Sequence, residues 1–320
     1  MKYKIILESS IMQKGLPATA GSEMLENFIA PVDATVVERL LAAGVEIAGR
    51  ADTSEFGVSW LFDGDLENPL TEAVKGAADA ALCNDYSGAI SSTATQAGLY
   101  YFHPSYGTVS RYGLIPSVCS MDQIGVLCKE PEVGFKVLDI ISGYDSKDGV
   151  MFPYEPDKNK AQELSPFFEV DVADIPSDFS GVYKQVMQIL CSAELSNNIN
   201  RYDGIKFGHR AKEYNGLNEL YLKSRTEAFG EDVKLAAIIG AAVLYGDNYE
   251  RYYDKAMRIR RQIKESLDFD KYDVIISKSP LLSRLCGLPA TSTPGYTYTA
   301  DTGREDILRA VSKSVKGGAL

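Results

Sequence analysis

Residues 33–50, "DATVVERLLAAGVEIAGR", constrain the fold more than any other stretch of the chain. Val36, Val37, Leu40 and Leu41 recur at helical spacing, Asp33 can cap the helix they mark, and Gly44 can end it. "VEIAG" then reads as a strand, and a helix feeding a strand through one glycine is the idiom of α/β proteins. "EVGFKVLDIISG" (132–143) marks a second amphipathic helix, with Val133, Val137, Leu138 and Ile141 clustered and Gly143 at its end. Two longer helical patterns follow, "SGVYKQVMQILCSAELSNNINR" and "GDNYERYYDKAMRIRRQIKESLDF". In the second, Tyr252, Ala256, Ile259, Ile263 and Leu267 form a stripe, while Arg258, Arg261 and Lys264 fall mostly off it and read as a solvated face. "KYDVIISKSP" (271–280) is a short strand entering a loop, and "GLYYFHPSYGTVSRYGLIP" (98–116) reads as irregular chain punctuated by prolines and glycines. From about 144 to 181, Pro153, Pro156, Pro166 and Pro176 stand among many charges, an irregular excursion within one expected domain spanning 1–320.

The stretch with the most chemical interest is "ALCNDYSGAISSTATQAG" (81–98). Its small residues leave main-chain N–H groups uncovered, so a ligand or another backbone can come close. The rest of the composition narrows what such a loop can do. There are only two histidines, His103 and His209, too few for a histidine-based metal site or a Ser-His-Asp triad. The five cysteines are scattered and odd in number, with no C-x-x-C pair, so neither a disulfide framework nor a zinc cage is expected, and no cofactor is implied. A net charge of -11 disfavours a broad nucleic-acid footprint. No long apolar run suggests a membrane span, the N-terminal residues make a poor signal peptide, and the expected compartment is the cytoplasm.

Several stretches resemble the amidase signature family, most closely the A subunits of glutamyl-tRNA(Gln)/aspartyl-tRNA(Asn) amidotransferase. They are "QKGLPATAGSEMLENF", "DATVVERLLAAG", "ADTSEFG", "PSYGTVSRYGLIPSVCSMDQIGVL", "NRYDGIKFGHRA", "SRTEAFG", "YYDKAMRIRRQI", "KYDVIISKSP" and "LCGLPATSTPG", in the family's order and over nearly the whole chain. "NRYDGIKFGHR" and "SRTEAFG" point to the tRNA-dependent branch rather than to amidases at large. The resemblance implies an α/β fold, a mixed sheet covered by helices on both faces, here truncated at both ends. The match begins within ten residues of Met1, and about 25 residues follow "LCGLPATSTPG" where the family has further strands. In active members a neutral lysine takes a proton through a bridging serine, a second serine attacks the amide, and backbone N–H groups hold the oxyanion. In the tRNA-dependent enzymes the substrate of this step is glutamine, and its ammonia passes to the B subunit.

Against that pattern this chain lacks each catalytic group. Glu8 stands at the lysine position; Lys14 belongs to the family's "KG" turn, with a role as a relocated base the lesser reading. "DLENPLTEA" replaces the glycine- and serine-rich loop that would carry the bridging serine, so that serine is deleted, while the helix "TEAVKGAADAAL" is expected to survive. In "NDYSGA" the family's Asp is Asp85, the first glycine is Ser87, the second is Gly88, and Ala89 takes the nucleophile position. Asp85, Tyr86, Ser87, Gly88 and Ala89 are the remnant of an oxyanion loop. Leu235 and Ala236 stand where arginines suited to the glutamine carboxylate are expected. Two readings follow. One is a pseudoenzyme that acts by binding another protein, whether a copy of itself, a true A subunit, or an amidotransferase B- or C-like subunit, with any tRNA contact indirect. The other is a hydrolase of altered chemistry using Ser87, Ser91, Ser92, or Glu8 with Asp85, or else a degenerate glutaminase subunit.

Overall fold

The computed structural model describes residues 3–59, 61, 68–151, 153 and 181–316. Among them, eight strands form one mixed sheet: β1 (Lys4–Glu8), β2 (Glu46–Ala51), β3 (Ala80–Asn84), β4 (Tyr100–His103), β5 (Ile124–Cys128), β6 (Ile275–Ser277), β7 (Ala290–Thr293) and β8 (Tyr296–Thr299). Their order is β2-β1-β3-β5-β4-β7-β8-β6. β1 runs parallel to both β2 and β3, and all the other pairings are antiparallel. The parallel pair matters for the site. With Leu7 opposite Leu82, the C-terminal ends of β1 and β3 bring Glu8 beside Asn84.

The period of two along each strand sorts side chains between two cores. Ile5, Leu7, Ala80, Leu82, Ile124, Val126 and Phe102 pack against α1 (Thr35–Ala42), α4 (Pro131–Ile141) and α10 (Glu305–Lys316). Ala81, Cys83, Tyr101 and Leu127 point the other way, against α2 (Pro69–Gly76) and α3 (Ala89–Gln96). A third cluster joins α5 (Tyr183–Asn198), α7 (Glu231–Leu244), α8 (Lys255–Glu265) and α9 (Leu281–Cys286), while α6 (Leu217–Ala228) contributes Ala228. The residues after Pro289 supply β7, β8 and α10.

Most sequence expectations for local structure hold, and four need correction. Asp33 does not cap α1, whose N-cap is Ala34; the Asp33 carboxylate instead accepts the Lys14 N–H at 2.8 Å and fastens the turn in front of the helix. Residues 98–116 are not wholly irregular. Tyr100–His103 forms an interior strand, because an aromatic run between Gly98 and Pro104 suits a strand covered on both faces. The helix expected through "TEAVKGAADAAL" stops at Gly76, and Ala80–Leu82 belongs to the buried β3. Tyr252, the first member of the α8 stripe, is 39% exposed and lies in a π-helical turn, Tyr249–Asp254, ahead of α8. Further along, Ala256 and Ile263 are buried, while Arg258 and Arg261 form i,i+4 pairs with Asp254 and Glu265 on the solvated side. The proline-rich excursion at 144–181 lies, apart from its first residues, Pro153 and Gly181, outside the described residues.

Candidate functional site

β3 delivers the loop Asp85–Gly88 to the start of α3. Gly88 is the N-cap, with φ of +80°, and a Cβ there would meet Pro280 Cγ at 2.6 Å, so only glycine fits. Asp85 caps the helix, accepting the N–H groups of Ile90 at 2.9 Å and Ser91 at 3.1 Å. Its carboxylate is also paired at 3.0 Å with Arg284 Nη2, and both side chains are fully buried. Arg284 donates from Nε to the Asp85 carbonyl at 2.8 Å and from Nη1 and Nη2 to the hydroxyls of Ser283 and Ser91, and it lies over the Tyr101 ring. Asp85 is therefore committed to holding the loop and is no free acid or base. Tyr86, also buried, donates its hydroxyl to the Phe56 carbonyl at 2.8 Å.

Ala89 is the first residue of α3 and lines a cleft of about 290 Å³. The cleft is walled by Thr53, Gly57, Ser59, Asn84, Ser87 and Thr93, with Asp52 and Asp85 as its charged side chains. Ser87 Oγ sits 3.0 Å from Ser59 Oγ, a contact that sequence reasoning missed because the two residues are 28 apart. Ser91 and Ser92 both donate to the Gly88 carbonyl, at 3.0 and 2.7 Å, which turns them back onto the helix.

Glu8 lies behind this wall. Its carboxyl accepts the Asn84 N–H at 2.5 Å and the Thr53 hydroxyl at 2.7 Å. Burial pushes its pKa up to about 7, against the pull of those two hydrogen bonds, and the charge of Asp85 adds a smaller push upward. Among the described residues no lysine, arginine or histidine lines the cleft. Lys14 is exposed in its turn, which leaves the relocated-base reading without a structural footing. His103 is buried in β4, where desolvation, helped by Arg284, holds its imidazole well below the ordinary value; its Nδ1 has no partner among the described residues. His209 pairs with Glu227 at 2.7 Å. Ala236 is buried in α7 and Leu235 is partly exposed on it. Among the described residues no group of His, Cys, Asp and Glu is placed to hold a metal, and no helix is long and apolar enough to cross a membrane.

The sequence model of the amidase family, described as "Amidase", matches residues 5–65, 73–173 and 163–285. The chain belongs to the amidase family. Within it, the chain is 33% identical to the A subunit of glutamyl-tRNA(Gln) amidotransferase from Wolinella succinogenes, an alignment covering 93% of this chain and 77% of that protein. It is 32% identical to the same subunit of Lachnoclostridium phytofermentans, over 88% of this chain and 68% of that protein. The crystal structure of the corresponding subunit from Thermotoga maritima superposes with a TM-score of 0.67 at 24% identity, covering 98% of this chain and 82% of that one. The break in the family match between 65 and 73 falls at the segment expected to have lost the bridging serine. The Wolinella alignment runs over 350 positions against a 320-residue chain, so it contains positions that this chain skips.

Proposed function

We propose that this amidase-family chain does not hydrolyse amides and works by binding, as a subunit or regulator of an amidotransferase-like or other cytoplasmic assembly. The observation that carries the reading is Ala89 at the head of α3, on a loop that Asp85, Gly88 and Arg284 hold rigidly in place. A methyl group cannot attack a carbonyl. Glu8 takes the position of the family's lysine and has no amine to offer as a base. Hydroxyls without such a base stay protonated near neutral pH and are weak nucleophiles. The bacterial relatives are by name parts of an amidotransferase, which supports a protein partner of the same sort: a second copy, a true A subunit, or a B- or C-like subunit.

Labelling with a fluorophosphonate probe followed by peptide mass spectrometry tests the chemical half. No serine is expected to react. Recovery of the tagged chain from its own cells in a stable complex tests the binding half. One observation favours a second reading, a relocated Ser-Ser pair: the 3.0 Å contact between Ser59 and Ser87. That reading requires labelling at Ser87 and its loss in Ser87→Ala.

A further inference from the structure

Ala89, Ile90 and Thr93 of α3 line the cleft, whereas Ser91, Ser92, Thr95 and Gln96 line a second cavity, of about 260 Å³. Helical spacing puts the two sets on different faces of α3. The groups of the second cavity differ in what they can still offer a ligand. Ser92 and Thr95 already donate to the Gly88 and Ser92 carbonyls, at 2.7 and 3.0 Å, so their hydroxyls present lone pairs only. The β7–β8 hairpin contributes Ser292 and Thr297, both buried, with Ser292 Oγ and Thr297 Oγ1 3.0 Å apart. Whichever of the two donates, the other's proton has no partner among the described residues. A buried hydroxyl proton without an acceptor is costly, and a ligand oxygen in the cavity would satisfy it. Lys278 and the Gln96 amide add exposed donors, neither with a side-chain partner among the described residues. Lys278 is the one charged residue lining the cavity among the described residues, on a chain of net charge -11.

We propose that this cavity binds a phosphorylated polyol of pentose phosphate size, whose hydroxyls donate to Ser92 and Thr95 and whose anionic end accepts from Lys278, Gln96 and the free hydroxyl proton of the Ser292–Thr297 pair. The chemistry of the lining selects this class. A cationic ligand would find no carboxylate among the lining residues, and an apolar one would leave the hydroxyls unmet. A neutral polyol would not use Lys278, and a bare phosphate would bring no donors to Ser92 and Thr95. Size agrees with chemistry, since a cavity of about 260 Å³ falls just below the range that holds drug-sized ligands.

Ligand-observed NMR titration of the full chain with ribose 5-phosphate tests the site, with ribose and inorganic phosphate as the two halves of the probe. The whole probe is expected to bind with a Kd on the order of 1 mM, and each half about tenfold or more weaker. Lys278→Gln removes the charge and Thr95→Val removes an acceptor, and each should weaken the probe about tenfold. Thr93→Val is the control, because it deletes the same kind of hydroxyl-to-carbonyl bond from the cleft face of α3. It should leave binding unchanged, whereas an effect acting through helix stability would move both threonine variants alike. Absence of saturable binding up to about 10 mM overturns the proposal. So does an affinity indifferent to Lys278→Gln or to Thr95→Val, one matched by inorganic phosphate alone, or one that Thr93→Val weakens equally. The site goes beyond the function proposed above and does not rest on it. Its failure would leave the absence of turnover standing, whereas turnover would refute the non-catalytic reading without touching this cavity.

Discussion

Two regions meet at Asn84 and have fared differently. On one side stand the motifs "YGTVSRYGL" and "SMDQIG". Asn84 donates to Asp122 at 2.8 Å and accepts the Gln123 N–H at 2.9 Å, and Asp122 accepts the N–H groups of Ser117 and Val118. Arg111 makes two 3.1 Å bonds to Asp148 and further bonds to the Tyr106 hydroxyl and the Cys119 carbonyl. On the other side is the cleft, lined by Ser59, Asn68 and Ala89 among others, with Glu8 bonded to Asn84 N–H at its edge. The side that carries these motifs holds backbone in place; the side where the family resemblance implies departures is the one that would supply reacting groups. Stability accounts for this asymmetry. Removing one partner of a buried, hydrogen-bonded ion pair costs about 3–5 kcal/mol, whereas a nucleophile contributes almost nothing to folding and can be lost without unfolding the frame.

The largest effect should come from the frame. Arg284→Met leaves the Asp85 carboxylate buried and unpaired, and is expected to cost about 3–5 kcal/mol in urea unfolding. A loss below about 1 kcal/mol would mean that the loop is not held by this pair. Next comes Glu8→Gln, a change on the chemical side. Glu8 is raised from 4.5 to about 7 in the fold, so its neutral form is favoured there. Its stabilising contribution is complete below about pH 4.5 and disappears as pH rises through about 7. Relative to the wild type, Glu8→Gln should gain up to about 3 kcal/mol above pH 7. The difference between the two stability curves isolates this group, and a flat difference would remove it. Gly88→Ala should cost about 1–3 kcal/mol, through its left-handed φ and the contact with Pro280. Smallest of all, Ala89→Ser should change stability by less than about 1 kcal/mol and bring no ammonia release, since no basic side chain among the described residues lines the cleft.

Much of this organisation can be read in the sequence, and the parts that cannot share a cause. The α1–Gly44–β2 unit and the α4 helix follow from local pattern, and the family follows from its motifs; the assignment of Glu8 and Ala89 to the lysine and nucleophile positions is what the family resemblance implies. Arg284 and Asp85 are 199 residues apart, and nothing near either announces the other. Ser59 lies ahead of "DLENPLTEA", the segment that the family resemblance sets in place of the serine-rich loop, and only folding brings it to Ser87. β4 was hidden because its aromatic run lies among the turn signals that dominate 98–116, although the strand needs only four residues there. Asp33 failed as a cap because the Lys14 turn, 19 residues earlier, claims its carboxylate.

The most direct measurement is ammonia release from glutamine and from simple primary amides by the purified chain, side by side with Ser87→Ala. The expected result is no release above buffer from either protein at any pH from about 5 to about 9, the range over which a base would have to act. Release by the wild type that Ser87→Ala abolishes would contradict the non-catalytic reading and make Ser59 and Ser87 a working pair.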